Sequence, residues 1–148
     1  MASRTPKQEQ AVTTFLDGAT CTQAVLTAFC EEYGLSTELA MKLGSSAGGG
    51  FKCSDVCGAA SGGALVVGLR CGHTVPSDKV GKDFCTAKTR EYMHAFRDRH
   101  GHITCLGLLG SDINTPEGRA AAMSKNLLTT YCADLVADVV KYLEDNGY

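Results

Sequence analysis

Apolar residues recur at the helical period along most of this chain, whereas the alternation typical of β-strands is nearly absent. The period places one set of apolar residues on a single helical face near the C-terminus: Leu135, Val136, Val139, Val140 and Leu143. A long stretch that ends at Gly101 repeats the pattern with Val80, Phe84, Ala87, Tyr92 and Phe96. These patterns predict an all-α fold, a compact bundle of five or six helices with a glycine-rich loop. We expect one domain over residues 1–148, with residues 1–18 as a frayed N-terminal segment.

Capping residues predict where several of these helices begin. Thr20 is followed three residues later by Gln23, the pattern of a capping box. Ser54 and Asp55 are also good cap or first-turn residues, and they predict a helix that ends near Gly72.

Length and charge limit the classes of function. A chain of 148 residues buries enough surface to fold without a disulfide or a metal. Its net charge of −2 and the absence of a basic block argue against nucleic acid as a partner. No run of 18 apolar residues occurs, so no membrane partner is expected. The polar start of the chain has no secretory pattern, and we expect a cytoplasmic protein.

Cysteine is the unusual component, with eight residues: Cys21, Cys30, Cys53, Cys57, Cys71, Cys85, Cys105 and Cys132. In a cytoplasmic chain, such a number favours metal binding or redox chemistry over a disulfide framework. No C-x-x-C pair occurs, which excludes the zinc-ribbon and RING patterns.

Four of the cysteines lie near the start of a predicted helix: Cys21, Cys57, Cys105 and Cys132. Unpaired amides and the helix dipole stabilise a thiolate there, so we expect the pKa values of these thiols to be lowered. Single ligands far apart in sequence are typical of a site in the core of a helix bundle.

The other cysteines have less specific settings. Cys30, Cys71 and Cys85 lie within or at the ends of predicted helices, and we interpret them as packing or surface thiols. Cys53 forms a C-x-x-x-C pair with Cys57 and could replace or assist a ligand.

Glycines surround the Cys53–Cys57 pair. Gly48, Gly49 and Gly50 are not followed by the Gly-Lys-Ser/Thr of a nucleotide-binding loop, and their amides could instead cradle a thiolate or a cluster. Gly58 and Gly62 are one helical turn apart, which predicts close contact with another helix of this chain or of a second subunit.

The order CTQAVLTAF, GGGF, CGAASGGAL, CLGLLG and YCADLV resembles the C_GCAxxG_C_C family of redox-active proteins over about residues 20–143. A related domain forms part of the split-Soret cytochromes. The resemblance places the four family cysteines on Cys21, Cys57, Cys105 and Cys132. One departure is that Cys57 precedes Gly58, whereas the family pattern has glycine before cysteine. Four additional cysteines are a second departure.

The resemblance implies an iron–sulfur cluster, a homodimer and a redox partner protein. The leading hypothesis is electron transfer through a 2Fe–2S cluster held by the four family cysteines, with Gly48, Gly49, Gly50 and Gly58 donating amides to it. A metal-free thiol–disulfide protein using Cys57 with Cys53 or Cys21 is an alternative. A structural zinc site and a dimeric helical adaptor are others. No c-type haem is expected, because C-x-x-C-H is absent. The residues assign no enzymatic reaction.

Overall fold

The computed structural model describes residues 3–148, and within this range the protein is all-helical with no strand. The eight α-helices are α1 (Pro6–Leu16), α2 (Cys21–Phe29), α3 (Thr37–Ser45), α4 (Gly58–Cys71), α5 (Lys79–His100), α6 (Cys105–Leu109), α7 (Pro116–Ser124) and α8 (Tyr131–Asp145). The all-α class is confirmed. The count exceeds the predicted five or six.

Helix α2 lies at the centre of the molecule and packs against α1, α3, α4 and α8. Its side chains Val25, Leu26 and Phe29 are fully buried. The predicted apolar face of α8 is confirmed, since all five of its residues are buried: Leu135, Val136, Val139, Val140 and Leu143.

Helix α5 is only half buried, in contrast to the prediction. Tyr92 and Phe96 lie in the core, but Val80 is 82% exposed and Phe84 is 52% exposed. Helix α5 has 22 residues and α4, on which it packs, has 14. At 1.5 Å per residue, α5 is about 12 Å longer than α4, so its first turns extend beyond the core.

Small residues let α4 approach its neighbours closely. A Cβ atom added to Gly58 would lie 3.0 Å from Cys21 Cβ, and one added to Gly62 would lie 3.0 Å from the carbonyl oxygen of Thr22. The glycine face of α4 is therefore covered by α2 of the same chain, which leaves it unavailable to a second subunit.

The capping box of α2 is confirmed, with the Thr20 hydroxyl accepting from the backbone amide of Gln23. The start of α4 was predicted wrongly, because this helix begins at Gly58 rather than at Ser54 or Asp55. The chain turns through the left-handed region first, with φ of 59° at Ser54. The Ser54 hydroxyl then donates to the Asp112 carboxylate instead of capping a helix.

Helix α1 lies in the segment for which fraying is predicted. It has a complete capping box formed by Thr5 and Gln8, and it packs against α8 with Ala11 and Val12 buried. Met1 and Ala2 of that segment lie outside the described residues. From residue 3 onward, no helix combines the length and the apolar character that crossing a membrane requires.

Candidate functional site

The four helix-start cysteines line one cavity of about 280 Å³. Cys21 and Cys105 are the first residues of α2 and α6, and Cys132 is the second residue of α8. Cys57 immediately precedes α4 as its N-cap. The fold thus brings together four thiols whose consecutive members are 27 to 48 residues apart in the sequence.

Backbone hydrogen bonds join the segments that carry Cys57 and Cys105. The Cys57 amide donates to the carbonyl of Ile103, and the Cys105 amide donates to the carbonyl of Asp55, both at 2.7 Å. These bonds form an isolated antiparallel bridge between the two segments. It holds the starts of α4 and α6 side by side.

The Cys21 and Cys132 side chains form a second neighbouring pair, since Cys21 packs against the apolar cluster that contains Cys132. This contact raises the pKa of Cys21 well above its ordinary value, and burial raises it further. The same contact lowers the pKa of Cys132 against the opposing effect of burial. Deprotonation in this pair is therefore expected first at Cys132.

Burial reverses the expected pKa shift at the remaining two cysteines of the cavity, Cys57 and Cys105. It raises the pKa of Cys57, although the amides of Ala59 and Ala60 donate to this sulfur and oppose the shift. Burial also raises the pKa of Cys105 to about 12, with the charges of Cys57, Cys132 and Asp112 adding to the effect. The prediction of lowered thiol pKa values is thus wrong at Cys21, Cys57 and Cys105. Burial at Cys57 and Cys105, and the contact with Cys132 at Cys21, raise the thiol pKa by more than the helix-start amides lower it.

The predicted glycines divide into two sets. Gly49 and Gly58 line the cavity, but Gly48 and Gly50 do not. A Cβ atom on Gly48 would lie 2.4 Å from Thr20 Cβ, and one on Gly50 would lie 2.3 Å from the Asp55 nitrogen. Close packing therefore accounts for glycine at 48 and 50 without any ligand.

Several residues that line the cavity were not predicted. Its walls include apolar side chains from four parts of the chain: Phe15, Leu108, Leu109, Ile113, Leu128 and Leu135. Lys52 and Arg119 contribute positive charge to the same cavity. Lys52 could have been suspected from its place beside the glycines, whereas nothing in the sequence marks Arg119.

Comparison with protein families bears on this site. The model of the family described as "Putative redox-active protein (C_GCAxxG_C_C)" matches residues 19–146. The chain belongs to the C_GCAxxG_C_C family. The match confirms the family suggested by the sequence and includes all four cysteines of the cavity. No curated protein and no solved structure matches the chain.

In this member of the C_GCAxxG_C_C family, the other four cysteines do not line the cavity. Cys30 is buried in the main core, Cys71 and Cys85 are half-buried, and Cys53 is exposed. The Cys53 thiol donates to the carbonyl of Gly50 at 3.3 Å. Across residues 3–148, no group of three or more His, Cys, Asp or Glu side chains is arranged to hold one metal ion.

Proposed function

We propose that this C_GCAxxG_C_C protein is a redox protein that holds an iron–sulfur cluster of the 2Fe–2S type through Cys21, Cys57, Cys105 and Cys132. The observation that carries the proposal is the convergence of four thiols, each at or just before the start of a different helix, on one cavity with apolar walls. Four cysteine thiolates are the usual ligand set of such a cluster. A bound cluster would supply one-electron transfer chemistry.

The arrangement of the thiols in two pairs supports the two-iron type. Cys21 and Cys132 contact each other, and Cys57 and Cys105 are joined through their backbones. A 2Fe–2S cluster distributes four thiolates over two irons, so it does not need all four sulfurs around a single point. This is compatible with the lack of a single-ion group within residues 3–148.

The chain itself would stabilise the negative charge of four thiolates. The amides of Ala59 and Ala60 donate to the Cys57 sulfur, and donors to ligand sulfurs stabilise the anionic form. The apolar walls limit contact with water, which strengthens these hydrogen bonds. Solvent access and amide donors are the features by which a protein adjusts the reduction potential of such a centre.

Replacing single cysteines tests the ligand set. After preparation without oxygen, we expect alanine at Cys21, Cys57, Cys105 or Cys132 to remove most of the bound iron and acid-labile sulfide. Cys85→Ala is the matched control, since Cys85 is also partly buried but lies outside the cavity. Circular dichroism of each variant checks that the helices are retained. Unchanged iron and sulfide in a folded Cys→Ala variant would refute that residue's role.

A second candidate is a metal-free thiol–disulfide function. The contact between Cys21 and Cys132 favours this pair over Cys57 with Cys53, because burial raises the pKa of Cys57 and Cys53 is outside the cavity. The Cys132 thiolate would attack a substrate disulfide and release one thiolate. Cys21 would lose its proton to the released thiolate, and its sulfur would then displace the second substrate sulfur as a thiolate, so that the cysteine pair loses two electrons and the substrate gains them. Such a protein would be colourless and would yield a Cys21–Cys132 disulfide.

A zinc site has less support than the iron–sulfur cluster or the thiol–disulfide function. A tetrahedral zinc site requires four sulfurs at about 2.3 Å from one ion, and the part of the chain that the structure describes contains no group arranged for one ion. The homodimer, the redox partner protein and the cytoplasmic location stay predictions.

A further inference from the structure

The cysteine cavity contains two cationic side chains and no carboxylate. Lys52 and Arg119 line it, and no Asp or Glu does. In the described part of the chain, neither cation forms an ion pair with an acidic residue. Both residues are exposed, so the cavity opens to solvent where their charges lie.

This local charge is opposite in sign to that of the protein. The net charge at pH 7 is −2, yet the residues at the cavity opening contribute two positive charges. The carboxylate of Asp112 acts on Cys105 but lies outside the cavity lining, and Ser54 and Asn114 donate hydrogen bonds to it. Uncompensated charges around a concave opening raise the local concentration of oppositely charged solutes.

The loop that carries Lys52 is fixed by side-chain hydrogen bonds. Lys52 has a φ of 62° and lies between Phe51 at 56° and Ser54 at 59°. The side-chain amide of Asn114 donates to the carbonyl of Gly49 at 3.1 Å and to the Ser54 hydroxyl at 3.0 Å. These bonds tie the loop to the segment that precedes α7, which carries Arg119. The two cations are thus positioned by connected segments.

We propose that the cysteine cavity binds a small carboxylate, whose charged group is held by Lys52 and Arg119 and whose apolar remainder lies toward the thiols. The volume of about 280 Å³ suits a small molecule, since a single water needs only about 10–15 Å³ of the same kind of space. The planar guanidinium of Arg119 matches a carboxylate in shape, and Lys52 adds a mobile charge. The inference concerns the chain with free thiols, without a cluster in the cavity, and therefore goes beyond the proposed cluster.

Two alkylating reagents that differ in charge test this. Iodoacetate is a small carboxylate, and iodoacetamide is its neutral counterpart. The full chain, reduced and freed of metal, is treated with each reagent, and mass spectrometry gives the rate at every cysteine. We expect the ratio of the iodoacetate rate to the iodoacetamide rate at Cys132 to fall by about threefold or more in Lys52→Gln and in Arg119→Gln. Added salt is expected to lower the same ratio in the wild type.

The design includes internal and matched controls. The ratios at Cys71 and Cys85, outside the cavity, are expected to stay constant in both variants. Lys125→Gln and Arg97→Gln remove the same charge from exposed residues that do not line the cavity, and we expect the Cys132 ratio to be unchanged. An unchanged Cys132 ratio in the double variant Lys52→Gln/Arg119→Gln overturns the inference. An equal fall in the control variants also overturns it. Because no metal is present, this result is independent of whether the cluster proposal fails.

Discussion

Cys105 and Cys132 have the same exposed fraction, 7% each, and opposite pKa shifts. Burial dominates at Cys105, whereas the hydrogen bond from Cys21 dominates at Cys132. A sulfur that accepts a hydrogen bond is stabilised as a thiolate, and a sulfur that only loses water is stabilised as a thiol. Equal access therefore does not imply equal reactivity in this cavity.

The pH dependence of alkylation follows from these shifts. In the reduced, metal-free chain, we expect iodoacetamide to modify Cys132 well before Cys105. With a pKa of about 12, Cys105 would be thiolate in about one molecule in a thousand at pH 9. Its rate should keep rising as the pH approaches 12, whereas the rate at Cys132 should level off at a lower pH. Rates measured per residue by mass spectrometry between pH 7 and 12 check this, and a shared midpoint would contradict it.

At the scale of elements, the packing of α4 depends on which of its glycines meets a neighbour. A Cβ atom added to Gly63 would lie 2.0 Å from Tyr92 Oη and 2.8 Å from Val139 Cγ1. The same atom on Gly68 would meet nothing within 4 Å. Glycine at 63 is thus required by α5 and α8, whereas glycine at 68 is not required by packing.

Two alanine variants of α4 should therefore differ in the sign of their effect. We expect Gly63→Ala to lower the free energy of unfolding by about 1–3 kcal/mol, because Tyr92 and Val139 must shift within a packed core. Gly68→Ala should raise it by up to about 1 kcal/mol, because alanine favours the helix over glycine. Urea unfolding of both variants measures the difference. Equal effects would show that close approach at position 63 is not what requires glycine.

Local signals account for what could be predicted of the elements. The cap at Thr20 and the apolar face of α8 depend on residues a few positions apart, so the sequence alone suffices to identify them. The start of α4 depends on Ser54 meeting Asp112, which is 58 residues away. Three of the five apolar residues on the predicted face of α5 are exposed, because α5 is longer than α4, on which it packs. Neither effect leaves a local pattern.

The candidate site could likewise be predicted only in part from the sequence. The four cysteines could be selected from their places near helix starts and from the family resemblance. Their grouping into two pairs could not, because it depends on the bridge between residues 55–57 and 103–105 and on the contact between α2 and α8. Arg119 reaches the cavity only through tertiary structure.

On the scale of the whole molecule, the cavity exists only when the chain is folded. Its thiols come from α2, α6, α8 and the residue before α4, so no short segment contains the site. A cluster bound by all four would connect these helices and would stabilise the fold by its binding free energy. The proposed cluster therefore requires the complete folded protein rather than any one motif.

The most direct test is made on wild-type protein purified without oxygen. Visible absorbance from about 350 to 600 nm is recorded, and iron, acid-labile sulfide and zinc are assayed on the same sample. We expect a brown protein with iron and sulfide in equal amounts, about two of each per chain, and no zinc. A colourless protein without iron and sulfide, prepared under conditions that preserve clusters, would contradict it.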